Sequence, residues 1–96
     1  PEPRALVGVS LRPGAHRGAR LKDTKTMRIL IAEDDDETAD HLAQALRAVG
    51  HGVSRTDNGV QALLMAMNEV FDVLILDRML PGMDGLQVVK MLRAGG

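Results

Sequence analysis

Two short apolar runs, each stopped by a carboxylate, constrain this chain more than any other feature. Arg28-Ile29-Leu30-Ile31-Ala32 runs into Glu33-Asp34, and Val73-Leu74-Ile75-Leu76 runs into Asp77. Continuous apolar runs rich in β-branched residues suit strands buried on both faces, as in a parallel sheet covered by helices. The stretches around them carry helical spacing. Ala39, Leu42, Ala43, Leu46 and Val49 form one stripe, with Asp35 or Asp36 to cap its start and Gly50 at its end. Val53-Ser54-Arg55-Thr56 reads as a second strand, and Asp57-Asn58-Gly59 as a turn. Asn58 or Asp57 caps a second helix that is predicted to bury Ala62, Leu63, Ala66, Met67 and Val70. Leu80 to Gly85 is turn chemistry, because Pro81 fixes φ and Gly82 and Gly85 can take positive φ. Leu86, Val89 and Leu92 open a third helix that stops at Gly95-Gly96. The order β-α-β-α-β-α predicts an α/β fold, a parallel sheet wound by right-handed crossovers.

The net charge of −1 conceals two unlike segments. Residues 1–26 carry six Lys/Arg against Glu2 and Asp23, a net of +4. Residues 27–96 carry six Lys/Arg against eleven Asp/Glu, a net of −5. The first segment holds three of the four prolines and only scattered apolar residues, so it is expected to be a disordered basic tail or an extension upstream of Met27. Residues 27–96 are the folded part. The 96 residues contain no cysteine, which excludes disulfide scaffolds, zinc-thiolate sites and cysteine nucleophiles. Phe71 is the sole aromatic residue, too few for a base-stacking platform, and the acidic body does not suit direct DNA binding. No apolar run approaches the ~18 residues of a membrane span, and no secretory h-region is present.

Parallel strands place their C-terminal ends on one edge of the sheet. If the first and third strands are neighbours, Glu33, Asp34 and Asp77 converge in the crevice where open α/β sheets bind ligands. Like charges ~3–6 Å apart do not ionise together freely, so such a cluster must protonate or hold a cation. Hard oxygen donors without His or Cys point to Mg²⁺. An aspartate beside that ion can also attack a phosphoryl group. Asp35, Asp36 and Glu37 are read instead as helix caps and first-turn acids. Met65, Met67 and Met91 are read as core filling, and His16, His41 and His51 as isolated surface residues. Glycine-rich phosphate loops and an EF-hand are absent from the sequence.

Residues 28–36, Asp57-Asn58-Gly59 and Val73-Leu-Ile-Leu-Asp-Arg-Met-Leu-Pro-Gly-Met-Asp-Gly85 resemble the first two-thirds of a receiver domain from bacterial two-component response regulators. The 43-residue step from Asp34 to Asp77 suits that family. The wording of residues 79–85 is most similar to the subfamily with a winged-helix DNA-binding output domain. The resemblance implies a flavodoxin-like, doubly wound sheet, here its three-stranded N-terminal part in the order 2-1-3. It implies that Asp77 accepts a phosphoryl group from a sensor histidine kinase. Glu33, Asp34, Asp77 and the Met79 backbone carbonyl would hold Mg²⁺, and Pro81 and Gly85 would shape the loop. The implied role is a phosphorelay switch in a cytoplasmic transcriptional regulator, not an enzyme.

The family pattern continues with a strand ending in Thr or Ser and another ending in Lys, which the 96 residues do not include. The chain is therefore expected to be a cut receiver domain whose third strand is an exposed apolar edge, open to self-association. Two other readings follow from the residues. One is an inert or metal-binding interaction fragment. The other is a Mg²⁺-dependent phosphohydrolase with an aspartyl nucleophile, which Met79 disfavours because it stands where a second acid would be required.

Overall fold

The computed structural model describes residues 6–10 and 26–95. The elements in chain order are β1 (Leu6–Ser10), β2 (Arg28–Ala32), α1 (Asp36–Ala48), β3 (Gly52–Thr56), α2 (Gly59–Asn68), β4 (Val73–Asp77) and α3 (Gly85–Ala94). They build one four-stranded sheet in the order β1-β4-β2-β3. β2 lies between β3 and β4 and is parallel to both. These three parallel strands keep the order expected from the sequence.

Strand pleating sorts the apolar runs onto two faces. Leu30, Ala32, Leu74 and Leu76 face a core completed by Ala62 and Leu63 of α2 and Val88 and Val89 of α3. Ile29 and Ile31 point the other way, onto Ala43 of α1, with Leu42, Leu46, Val73 and Ile75 packed around them. Both apolar runs therefore supply two faces each, which is why they contain no polar alternation. Leu30, Ile31, Leu74 and Leu76 are fully buried.

Local chemistry sets the helix ends. Asp35 caps α1, its Oδ2 accepting from the Thr38 N–H at 2.8 Å, with Asp36 and Glu37 in the first turn. Asn58 caps α2 by accepting from the N–H groups of Val60 and Gln61. Gly50 adopts φ +100° just after α1, in the left-handed region that favours glycine.

Several side chains lie outside their expected place. Met67, Val70 and Val49 are exposed, as are Leu86 and Met91. The helices are short and each rests on the sheet through one narrow stripe. Met67, Leu86 and Met91 lie beside those stripes and face solvent, and Val49 and Val70 lie past the ends of α1 and α2.

The larger correction concerns the edge. Residues 6–10 were expected to lie in a disordered tail, but they form β1. It pairs antiparallel with β4 from Leu6 opposite Asp77 to Ser10 opposite Val73. The third parallel strand is therefore not an open edge, and self-association along it loses its basis. Leu-Val-Gly-Val-Ser carries no charge and two β-branched residues, and its backbone ladder satisfies outer N–H and C=O groups of β4. Val9 adds its side chain to the α2/α3 core. The rest of the expected tail, residues 1–5 and 11–25, lies outside the described residues.

Candidate functional site

The parallel register of β2 and β4 ends with Ala32 opposite Leu76. The next residue on each strand is an acid, so Glu33 and Asp77 emerge level with each other. The side chains of both are buried, whereas Asp34 is exposed. One carboxylate oxygen from each of Glu33, Asp34 and Asp77 lies within 4.8 Å of the others. The three acids singled out from the sequence are thus brought together at one sheet edge.

The backbone fixes this cluster. The Glu33 N–H donates to the Thr56 carbonyl at 3.0 Å. The Glu33 carbonyl accepts from Arg55 Nη2 at 2.7 Å and Nε at 3.1 Å, and Arg55 Nη1 meets Asp36 Oδ1 at 2.9 Å. Arg55 therefore clamps the turn that carries the acids from the neighbouring strand. Glu33 Oε2 accepts from the Asp35 N–H at 2.9 Å, and Asp77 Oδ1 accepts from the Met79 N–H at 2.9 Å. Burial pushes the Glu33 carboxyl above its usual range, against the pull of the Asp35 N–H. The charge of Asp77 and hydrogen bonding with Asp77 and Asp34 reinforce the rise.

The loop from Asp77 to Asp84 is keyed to α2 by close backbone contacts. The Gly59 N–H donates to the Pro81 carbonyl at 2.9 Å. A Cβ on Gly59 would stand 1.6 Å from the Met83 carbonyl oxygen, so no other residue fits there without moving the loop. Gly85 is similarly confined, since its Cβ would lie 2.6 Å from the Asp77 carbonyl oxygen. Gly85 does not take positive φ, so the turn chemistry expected of it is replaced by close approach; Gly82, at φ +82°, does. Pro81 contributes its carbonyl to Gly59, and Met79 turns its side chain to solvent, leaving its backbone as the part that faces the site chemistry.

Sequence reasoning missed two contributors. Arg55 looked like an ordinary strand residue, and Gly59 looked like part of a turn. Gly59 has no positive φ that a turn would demand, so only the nearness of Met83 explains it. The histidines stay apart from the acids. His41 is exposed, and His51 Nδ1 accepts from the Met27 N–H at 3.1 Å, before β2 begins. His16, Lys22 and Lys25 lie outside the described residues, and Lys90 is exposed on α3.

The donor set fits a hard divalent cation: three carboxylates, two of them buried, with no nitrogen or sulfur ligand among them. Such a cation would offset the burial cost, and the charge of Asp77, that lift Glu33. Asp77 is a buried carboxylate at a strand end, its Oδ1 accepting from the Met79 N–H.

Comparison with known proteins agrees with this geometry. Residues 29–96 match the model of the response regulator receiver domain. The chain is 41% identical over 70 residues to the probable transcriptional regulatory protein SilR of Salmonella typhimurium, covering 73% of this chain and 31% of that protein. It is 40% identical over 68 residues to the transcriptional regulatory protein CusR of Escherichia coli K12, covering 71% of this chain and 30% of that protein. The chain thus spans about a third of the length of these relatives. The structure of the Francisella response regulator 1452 receiver domain superposes with a TM-score of 0.71 at 27% identity, covering 73% of this chain and 58% of that one. Among the described residues, no helix is long and apolar enough to cross a membrane.

Proposed function

We propose, from the premise that this chain belongs to the response regulator receiver domain family, that Asp77 is its phosphoacceptor and that Glu33, Asp34 and Asp77 hold Mg²⁺. The observation that carries this reading is the meeting of three carboxylates within 4.8 Å at the ends of adjacent parallel strands. The Met79 carbonyl would complete the protein's ligands. Bound there, Mg²⁺ supplies positive charge that screens an incoming phosphoryl group from the acids.

The chain's own residues do the rest. Asp77 is buried at the end of β4, and the Met79 N–H fixes one oxygen of its carboxylate. A phosphohistidine of a sensor kinase is the donor this family uses, and the proposal assigns that partner here. The P–N bond of the donor breaks as an Asp77 oxygen forms a P–O bond, and the freed imidazole nitrogen takes a proton from water. Pro81 and Gly85 hold the loop so that the Met79 backbone stays beside the new acyl phosphate. The chain accepts a phosphoryl group once per cycle, as a switch module rather than an enzyme acting on an outside substrate. By analogy with SilR and CusR, the parent protein is proposed to be a transcriptional regulator.

The test is phosphorylation by a small phosphodonor. With Mg²⁺ present, the chain gains an acid-stable, base-labile acyl phosphate, and Asp77→Asn gains none. Labelling that persists in Asp77→Asn overturns the assignment. Metal binding without any labelling of a folded chain favours the metal-binding interaction fragment. Repeated turnover of a phosphate ester favours a hydrolase.

A further inference from the structure

Both backbone groups of Glu33 are taken by β3, in two different ways. The N–H continues the sheet ladder to the Thr56 carbonyl at 3.0 Å. The carbonyl lies past the end of β3, which stops at Thr56 before the turn into α2. Arg55 meets it with its side chain instead, Nη2 at 2.7 Å and Nε at 3.1 Å from the oxygen. The remaining nitrogen of the same guanidinium, Nη1, lies 2.9 Å from Asp36 Oδ1 in the first turn of α1. Arg55 stands opposite Ile31 in the parallel register, and Ile31 packs toward α1. The Arg55 stem therefore runs along the α1 face while its head reaches past the strand end. One planar fork thus anchors Glu33 and Asp36, with Asp34 and Asp35 held between the two anchor points.

We propose, resting on the Mg²⁺ reading of the acid edge, that Arg55 is a positioning residue for that site: its fork, and not its charge, fixes the direction in which Glu33 and Asp34 leave the backbone. Charge and geometry make opposite demands here. A guanidinium near three carboxylates repels an incoming cation, so by charge alone its loss would tighten Mg²⁺ binding. That charge is already answered by Asp36, whose exposed carboxylate forms the ion pair. Geometry works the other way. Mg²⁺ demands near-octahedral oxygens at about 2.0–2.1 Å, so donors that swing out of place lose affinity steeply. Two parallel N–H bonds to one carbonyl fix the orientation of that peptide, which the point charge of a lysine ammonium does not. The Glu33 peptide leads directly into Asp34, so the clamp acts on two of the three carboxylates at once.

Mg²⁺ titration calorimetry of the full chain, beside Arg55→Leu and Arg55→Lys, separates the two demands. Leucine keeps the apolar stem on the α1 face and removes the head, whereas lysine keeps the charge and removes the fork. Arg55→Leu should weaken Mg²⁺ binding about tenfold, the scale expected for a group that orients a ligand from behind. Arg55→Lys should restore little of that loss. A second readout needs no metal. The Asp35 N–H donates to Glu33 Oε2 at 2.9 Å, so its hydrogen exchange reports the order of the turn. In Arg55→Leu it should exchange faster, and by more than any change at the Leu30 amide within β2. If Arg55→Leu does not fold, Arg55→Lys carries both readouts. Binding by Arg55→Leu as tight as the parent's, or tighter, overturns the proposal, as does full recovery in Arg55→Lys. Equal acceleration at Asp35 and Leu30 also overturns it, because that marks a general loss of stability. A parent chain that binds no Mg²⁺ overturns the metal reading itself, and the role of Arg55 with it.

Discussion

The acid edge of the sheet and its outer strand are built in opposite ways. At the acid edge, Gly59 and Gly85 leave no room for a Cβ, Arg55 grips a carbonyl, and Glu33 and Asp77 are buried. At the outer strand, β1 is attached through its backbone ladder, and a Cβ on Gly8 would meet nothing within 4 Å. The acid edge is over-determined because three carboxylates must be held close against their own repulsion. β1 has only to satisfy the edge of β4, so it tolerates slack. Tightness follows the electrostatic cost of the site and not distance from the centre of the core.

The contrast can be broken with glycine substitutions and side-chain truncations, compared by urea unfolding of the full chain. Gly59→Ala should lose about 3 kcal/mol, because the Met83 carbonyl is backbone and cannot step aside. Val9→Ala should cost about 1–2 kcal/mol, as Val9 of β1 is buried in the core. Asp35→Ala should cost about 1 kcal/mol through the lost cap of α1. Gly8→Ala should change stability by no more than about 0.5 kcal/mol. Equal effects at Gly59 and Gly8 would erase the distinction between the two regions.

Much of this arrangement was legible in the sequence, and for a physical reason. β2 and β4 are buried on both faces, so their continuous apolar runs name them, and the acids that end those runs name the site. Strand order followed from crossover handedness and the resemblance together. β1 was not legible because an edge strand needs little beyond uncharged, extended residues, and Leu6–Ser10 sits among prolines and arginines that mask it. Met67 reads as core because hydropathy does not distinguish a stripe facing the sheet from one beside it, and Val70 because the apolar spacing runs past the helix end at Asn68. Gly59 could not be recognised, since the atom that forbids its replacement belongs to Met83, remote in sequence.

The pH axis sharpens the comparison in sign rather than size. Glu33 has a folded-state pKa raised above its ordinary 4.5, so its ionised form destabilises the fold. In the absence of divalent metal, Glu33→Gln should be more stable than the parent chain at neutral pH. That advantage should shrink as pH falls through the raised pKa and vanish below 4.5, where the parent carries the proton too. Thermal unfolding of both proteins across this range checks it. An advantage that is independent of pH would remove the burial of a charged Glu33 beside Asp77 as its cause.

Mg²⁺ binding by titration calorimetry tests the shared site most directly. Glu33→Gln, Asp34→Asn and Asp77→Asn should each weaken binding at least about tenfold, since one ion draws on all three carboxylates. Binding by Asp77→Asn as tight as that of the parent chain would contradict it.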